Sequence, residues 1–230
     1  MTKGEHTAQR QRLKERYLRE GMDSLEEHVV LELLLFFAIP RCDTNKTAHK
    51  LIDRFGSLHA VFDAPMEELI AVDGIGESSA LLIKAVPDFY RRYAKSKMQN
   101  GSFVNSLEDI GKYLMPFFAG VNVEVMYLLL LDGHRRIIAC EKMTAGSVNM
   151  AALSVREIVA AALKYNAVAA VVAHNHPNAV LIPSQTDIVT TEKIYRALKA
   201  VDVTLLDHMI MSDTDFVSLH QSGMMSQLQR

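Results

Sequence analysis

Hydrophobic and polar positions change rhythm near residue 100. Before it, apolar residues recur at helical spacing. Leu13, Tyr17 and Leu18 mark one face of an N-terminal helix, and Leu25 to Ile39 is apolar over the length of a central helix. Asp43-Thr-Asn-Lys46 has the form of a helix entry before Ala48 to Arg54, which Gly56 stops. Pro65 to Ile70 predicts a short helix with Pro near its first turn. The polar, glycine-containing stretch Ser96 to Ser102 reads as a linker. Beyond it, Ser106-Leu-Glu-Asp109 opens a helix to near Phe118, and the apolar run Val123 to Leu131 predicts a strand. Asp132-Gly133 signals a hairpin into a return strand from Arg136 to Lys142. Ser154-Val-Arg-Glu157 is a capping box opening a helix to near Asn166. Ala167 to Ala173 is an apolar run of strand length, followed by a helix over 184–200 and a strand over 203–212. Strands alternating with helices predict an α/β domain, a mixed sheet flanked by helices, at 103–225. An all-α domain precedes it at 1–98.

The 230 residues are 49% hydrophobic and 23% charged, ordinary for a globular protein. The longest apolar stretch, Val29 to Ile39, carries Glu32, which argues against a membrane span. The polar N-terminus shows no signal peptide, and the two cysteines, Cys42 and Cys140, fit a reducing cytoplasm. A net charge of -2 does not mark a nucleic-acid binder. Only the first 19 residues lean basic, through Lys3, Arg10, Arg12, Lys14, Arg16 and Arg19. Such a helix is either a phosphate-contacting arm or a solvated face.

Chemistry concentrates in His174-Asn-His176, followed by Ser184 and Asp187. Side chains two apart on an extended strand point the same way, so His174 and His176 converge. Ser184-Gln-Thr-Asp187 reads as a helix start after Pro183, placing Asp187 in the first turn, in reach of the strand end. Two imidazoles and a carboxylate suit a catalytic zinc with its fourth position open to water. Ser184 and Asp187 also fit a capping box, and Ser184 can cap the helix while facing the site. Glu124 lies in a nearly continuous apolar run. If buried there, its carboxylate needs a compensating cation or metal-bound water; the alternative is the exposed start of a strand. Asp207 and His208 point to opposite faces of the last strand, either as groups orienting a ligand or as satisfied buried polar residues.

The spacing His-x-His-x7-Ser-x2-Asp resembles the signature of the JAMM (MPN-type) metalloproteases, and Leu206-Asp207-His208 resembles their bacterial RadC branch. The resemblance implies a JAMM/MPN-like, cytidine-deaminase-like sheet. It implies zinc on His174, His176 and Asp187, Glu124 as general acid/base, and Ser184 as a stabiliser of the tetrahedral intermediate. One departure is the loop Pro177 to Pro183, which keeps the family's length but lacks its glycine. In the first domain, Val72-Asp-Gly-Ile-Gly-Glu-Ser-Ser-Ala80-Leu-Leu-Ile83 resembles a helix-hairpin-helix motif. There the backbone around Gly74, Ile75 and Gly76 could meet a DNA phosphate, weakly and without sequence preference.

The expected activity is zinc-dependent cleavage of an amide bond in a peptide or protein substrate. The alternative is a DNA-associated accessory protein of repair or recombination whose metal site is structural or residual.

Overall fold

A computed structural model describes residues 3–40, 42–97, 101–121, 123–143, 155–176 and 181–225. Ser154, residues 98–100 of the expected linker, and Pro177 to Val180 of the glycine-free loop lie outside the described residues. The chain divides into two compact units, residues 1–89 and 90–230.

The first unit is helical: α1 (Lys3–Glu20), a 3-10 turn at Met22–Ser24, α2 (Glu27–Ala38), α3 (Asn45–Phe55), α4 (Leu58–Asp63), α5 (Met66–Ile70) and the start of α6 (Glu77–Lys97). Leu31, Leu35, Leu51, Val61, Leu69 and Ile83 are fully buried at its centre. Gly56 ends α3 in the left-handed conformation (φ 89°), as a glycine C-cap should. Arg10 of the basic helix donates to the carbonyls of Phe36, Ile39 and Cys42 (3.3, 2.5 and 2.8 Å). Its charge is thus used on the C-terminal carbonyls of α2, where a cation is favoured. α6 runs unbroken through Ser96 and Lys97, where the sequence predicted linker; the helical pattern simply continues.

The second unit is an α/β layer structure. After α7 (Leu107–Leu114) and a 3-10 turn at Met115–Phe117 come β1 (Met126–Leu131) and β2 (Ile137–Met143). They are followed by α8 (Val155–Lys164), β3 (Ala169–Asn175), α9 (Gln185–Lys199), β4 (Thr204–Met211) and β5 (Phe216–Ser218). The five-stranded mixed sheet has the order β2-β1-β3-β4-β5. Among the described strands, only β3 and β4 are parallel, joined through α9. β1 and β3 are buried on both faces, so they read as unbroken apolar runs. Leu128, Leu130, Ala170 and Val172 face α8 and α9 with Ile158, Ile194 and Leu198. Tyr127, Leu129, Val171 and Ala173 face the other way with Ile110, Leu114 and Phe117.

Two local expectations need adjustment, and one short strand is an addition. The strand predicted from Val123 begins at Met126, because Val123 is 65% exposed and the preceding segment is held by side-chain bonds. In the hairpin, positive φ falls on Arg135 (60°), not Gly133, because Asp132 Oδ1 accepts from the backbone N–H groups of both His134 and Arg136. The three-residue β5 has too few positions to show a period and was not predicted.

Candidate metal centre

His174 is the penultimate residue of β3 and is fully buried; His176 follows the strand end and is partly exposed. Both project on the α9 side of the sheet, as their two-residue separation dictates. The residue between them points to the opposite face and has a separate task. Asn175 Oδ1 accepts from Val125 N–H (2.9 Å), and its Nδ2 donates to the carbonyls of Val121 and Val123 (both 3.1 Å). Asn175 thereby secures the segment that carries Glu124. Met126 pairs with His174 in the antiparallel register, and Asn175 N–H reaches Val125 O (3.4 Å). Glu124 is half-buried just ahead of β1 and is not one of the three clustered residues; continuing the Met126–His174 pairing by two residues would bring it level with His176.

Asp187 comes from α9. Ser184 is the N-cap, with its Oγ accepting from Asp187 N–H (3.2 Å), while Asp187 Oδ2 accepts from Ser184 N–H and from its hydroxyl (both 2.7 Å). The capping box and the site are one structure: the bonds that start α9 also hold the carboxylate toward the histidines. Asp187 Oδ1 lies 3.3 Å from His174 Nε2, Oδ2 lies 3.3 Å from His176 Nε2, and the two Nε2 atoms are 2.9 Å apart. One ligand atom from each of the three residues falls within a 4.8 Å cluster. Burial pushes the Asp187 carboxyl upward, but the neighbouring His174 imidazole and the bonds donated by Ser184 outweigh it and hold it well below the usual carboxylate range. Two imidazole nitrogens and an ionised carboxylate with a common focus form a donor set that fits zinc.

His208, which the sequence allows as either a ligand-orienting group or a satisfied buried polar residue, lies against this cluster. Its Nε2 is 2.8 Å from His174 Nδ1, and its Nδ1 is 2.5 Å from Thr191 Oγ1. Complete burial, reinforced by the neighbouring His174, pushes its pKa well below the ordinary imidazole value. Asp207 faces the other side, where it accepts from the Ser218 hydroxyl and from the backbone N–H groups of His208 (2.7 Å) and His220 (2.9 Å). Its role is to join β4 to the segment after it. Neither Thr191 nor Asn175 stood out in the sequence. The one available signal for Asn175 was its place between two histidines on the opposite face of a strand.

Comparison with known proteins places this geometry in a family. Residues 104–224 match the family described as the RadC-like JAB domain, and residues 5–81 match the one described as UPF0758 N-terminal. The chain belongs to the RadC-like JAB domain family. A UPF0758 protein of Pseudoalteromonas translucida (strain TAC 125) is 34% identical, over 93% of this chain and 96% of its own length. One of Marinomonas sp. (strain MWYL1) is 33% identical over 95% and 98%. One of Fusobacterium nucleatum subsp. nucleatum is 29% identical over 97% and 100%. Glu124, His174, His176, Ser184 and Asp187 all lie in the RadC-like region.

Gly74, Ile75 and Gly76 lie in the UPF0758 N-terminal region. Gly74 has φ 94°, and a Cβ there would stand 2.7 Å from Thr47 Oγ1, so glycine is required by the turn. Ile75 is buried in the helical core, and Gly76 N–H is bonded to Ser79 Oγ (2.9 Å). Lys84 donates to the Phe62 and Asp63 carbonyls (2.9 and 3.2 Å). Among the described residues, no helix is long and apolar enough to cross a membrane.

Proposed function

We propose that this RadC-like protein is a zinc-dependent hydrolase of amide bonds, a peptidase or isopeptidase. The observation that carries the reading is the convergence of His174, His176 and Asp187 on one focus. Bound by these three residues, zinc would supply an activated water and polarise the scissile carbonyl. Glu124 takes up the proton released as the carbonyl is attacked and returns it to the leaving amine. The Ser184 hydroxyl turns from Asp187 Oδ2 to the carbonyl oxygen as negative charge develops there. Asp187 stays ionised and holds its place through Ser184 N–H. A cytoplasmic setting is supported by Cys42 and Cys140 being free thiols.

The test is elemental analysis of the purified chain. Near-stoichiometric zinc, lost in His174→Ala and in Asp187→Ala, supports the reading. Full zinc retention in the His174→Ala, His176→Ala double variant contradicts it. Contact with DNA, if made through the Gly74 to Gly76 turn, is weak and falls steeply with salt, since phosphate contacts dominate such binding.

A further inference from the structure

A chain of hydrogen bonds leads from His174 away from the cluster and ends on a backbone carbonyl. Thr191 Oγ1 lies 2.6 Å from the carbonyl oxygen of Asp187, one helical turn back, and 2.5 Å from His208 Nδ1. His208 Nε2 lies 2.8 Å from His174 Nδ1. The positions of the protons follow in order. A carbonyl oxygen can only accept, so the single hydroxyl proton of Thr191 points at Asp187 O. Thr191 then has only lone pairs for His208, and His208 Nδ1 must be the donor. In its neutral form this wholly buried imidazole has one N–H, so His208 Nε2 is an acceptor. The proton between the rings therefore sits on His174 Nδ1. With Nδ1 carrying the proton, the neutral form of His174 has its lone pair on Nε2, the atom that faces His176 Nε2 and Asp187 Oδ1.

We propose that Thr191 and His208 are positioning residues that set the tautomer of His174 and aim its Nε2 lone pair at a divalent cation before the cation arrives. The inference rests on reading His174, His176 and Asp187 as a metal centre. It goes further, in assigning each proton of the supporting network and the residue that dictates it. Asp187 anchors both ends: its carboxylate is the third ligand, and its carbonyl orders the relay that prepares the first.

The sheet register puts His208 in place. Ala170 pairs with Leu205, but Val171 pairs with Asp207, so one residue, Leu206, is extra on β4. Without that bulge, Asp207 would pair with Val172 and face α9. With it, His208 pairs with Val172 beneath His174 and Asp207 turns to the opposite face. The bulge thus selects a neutral donor–acceptor ring, not a second carboxylate, to back the ligand. A ligand held in its binding tautomer needs no proton rearrangement on metal uptake, and partners of this kind typically contribute about 10–100-fold in metal affinity.

The test uses the full chain in two measurements. In the metal-free protein, above the ordinary histidine titration range, long-range ¹H–¹⁵N spectra of the imidazoles should show both His174 and His208 with the proton on Nδ1. Thr191→Val keeps the shape but removes the hydroxyl, and should move the His174 proton to Nε2; Thr191→Ser should restore the wild-type pattern. In competition against a chromophoric chelator, zinc affinity should fall about 10–100-fold in Thr191→Val and recover in Thr191→Ser. Wild-type His174 protonated on Nε2 would overturn the proposal, and that spectrum decides the point even if Thr191→Val does not fold. A folded Thr191→Val with unchanged tautomers and unchanged zinc affinity would overturn it as well. If the wild type takes up no zinc yet shows the Nδ1–H spectrum, the tautomer assignment stands and the metal-centre reading falls.

Discussion

Asn175→Ala should loosen the RadC-like domain and disable its glutamate without removing a ligand. The side chain makes three hydrogen bonds to the backbone of residues 121–125. At about 1 kcal/mol net each, their loss amounts to about 3 kcal/mol. The partners are not equivalent. Val125 is 7% exposed, so its N–H would be stranded, with a desolvation penalty of about 1–3 kcal/mol. Val123 is 65% exposed, and its carbonyl can turn to water, which recovers part of the loss. The expected destabilisation is therefore about 2–4 kcal/mol. The chain has no tryptophan, so urea unfolding is best followed by far-UV circular dichroism, fitting the α/β unit's transition separately if the two units part. Asn175→Asp sharpens the test: it keeps the acceptor for Val125 N–H but faces two carbonyls with an oxygen and buries a charge, so it should be at least as damaging. Both variants should retain zinc and lose turnover, because Glu124 drifts while His174, His176 and Asp187 remain. Stability within about 0.5 kcal/mol of wild type, the scatter expected of surface substitutions, together with intact turnover, would show that Asn175 does not hold this segment.

Other changes separate structure from chemistry. Gly111→Ala would place a Cβ 2.2 Å from Cε1 of the Phe216 ring; thermal unfolding should show overpacking of about 1–3 kcal/mol, whereas a neutral result would mean that β5 gives way. Ser184→Ala removes the cap of α9 and should destabilise by about 1 kcal/mol with zinc retained, while turnover falls about 10²-fold if the hydroxyl also meets the oxyanion. Burial pushes the Cys140 thiol up to about 12, so iodoacetamide should modify exposed Cys42 in the native protein and Cys140 only after unfolding. Because the folded pKa of Cys140 lies above the unfolded one, its contribution to stability is full below the free-thiol range and should be lost as pH rises toward about 12; a denaturation midpoint flat across that window would contradict this.

Patterns local in the chain were legible, and partnerships set by strand register were not. The apolar runs in β1 and β3 announced a buried sheet, because strands covered on both faces have no polar positions to break the run. Ser184 and Asp187 announced both a helix start and a site residue because the capping box is itself local, spanning one turn. Glu124 belonged to the same apolar run as β1, and nothing in that run told where pairing begins; the answer lies with Asn175, fifty residues away. His208 could be placed on a face of its own strand, but which residue it would meet depended on a parallel pairing and on the bulge at Leu206. Thr191 carried no signal, since a threonine in mid-helix looks the same whether it bonds only its own backbone or also a buried ring.

The most direct test of the central claim is turnover by Glu124→Gln beside wild type, on a substrate found by unbiased peptide profiling, with zinc content measured on the same samples. Glutamine nearly matches glutamate in shape but cannot accept and return a proton near neutral pH. Full zinc occupancy is expected, with a rate lowered by about 10²–10⁴-fold, the usual contribution of a general acid/base. Unchanged turnover at full zinc occupancy would contradict it.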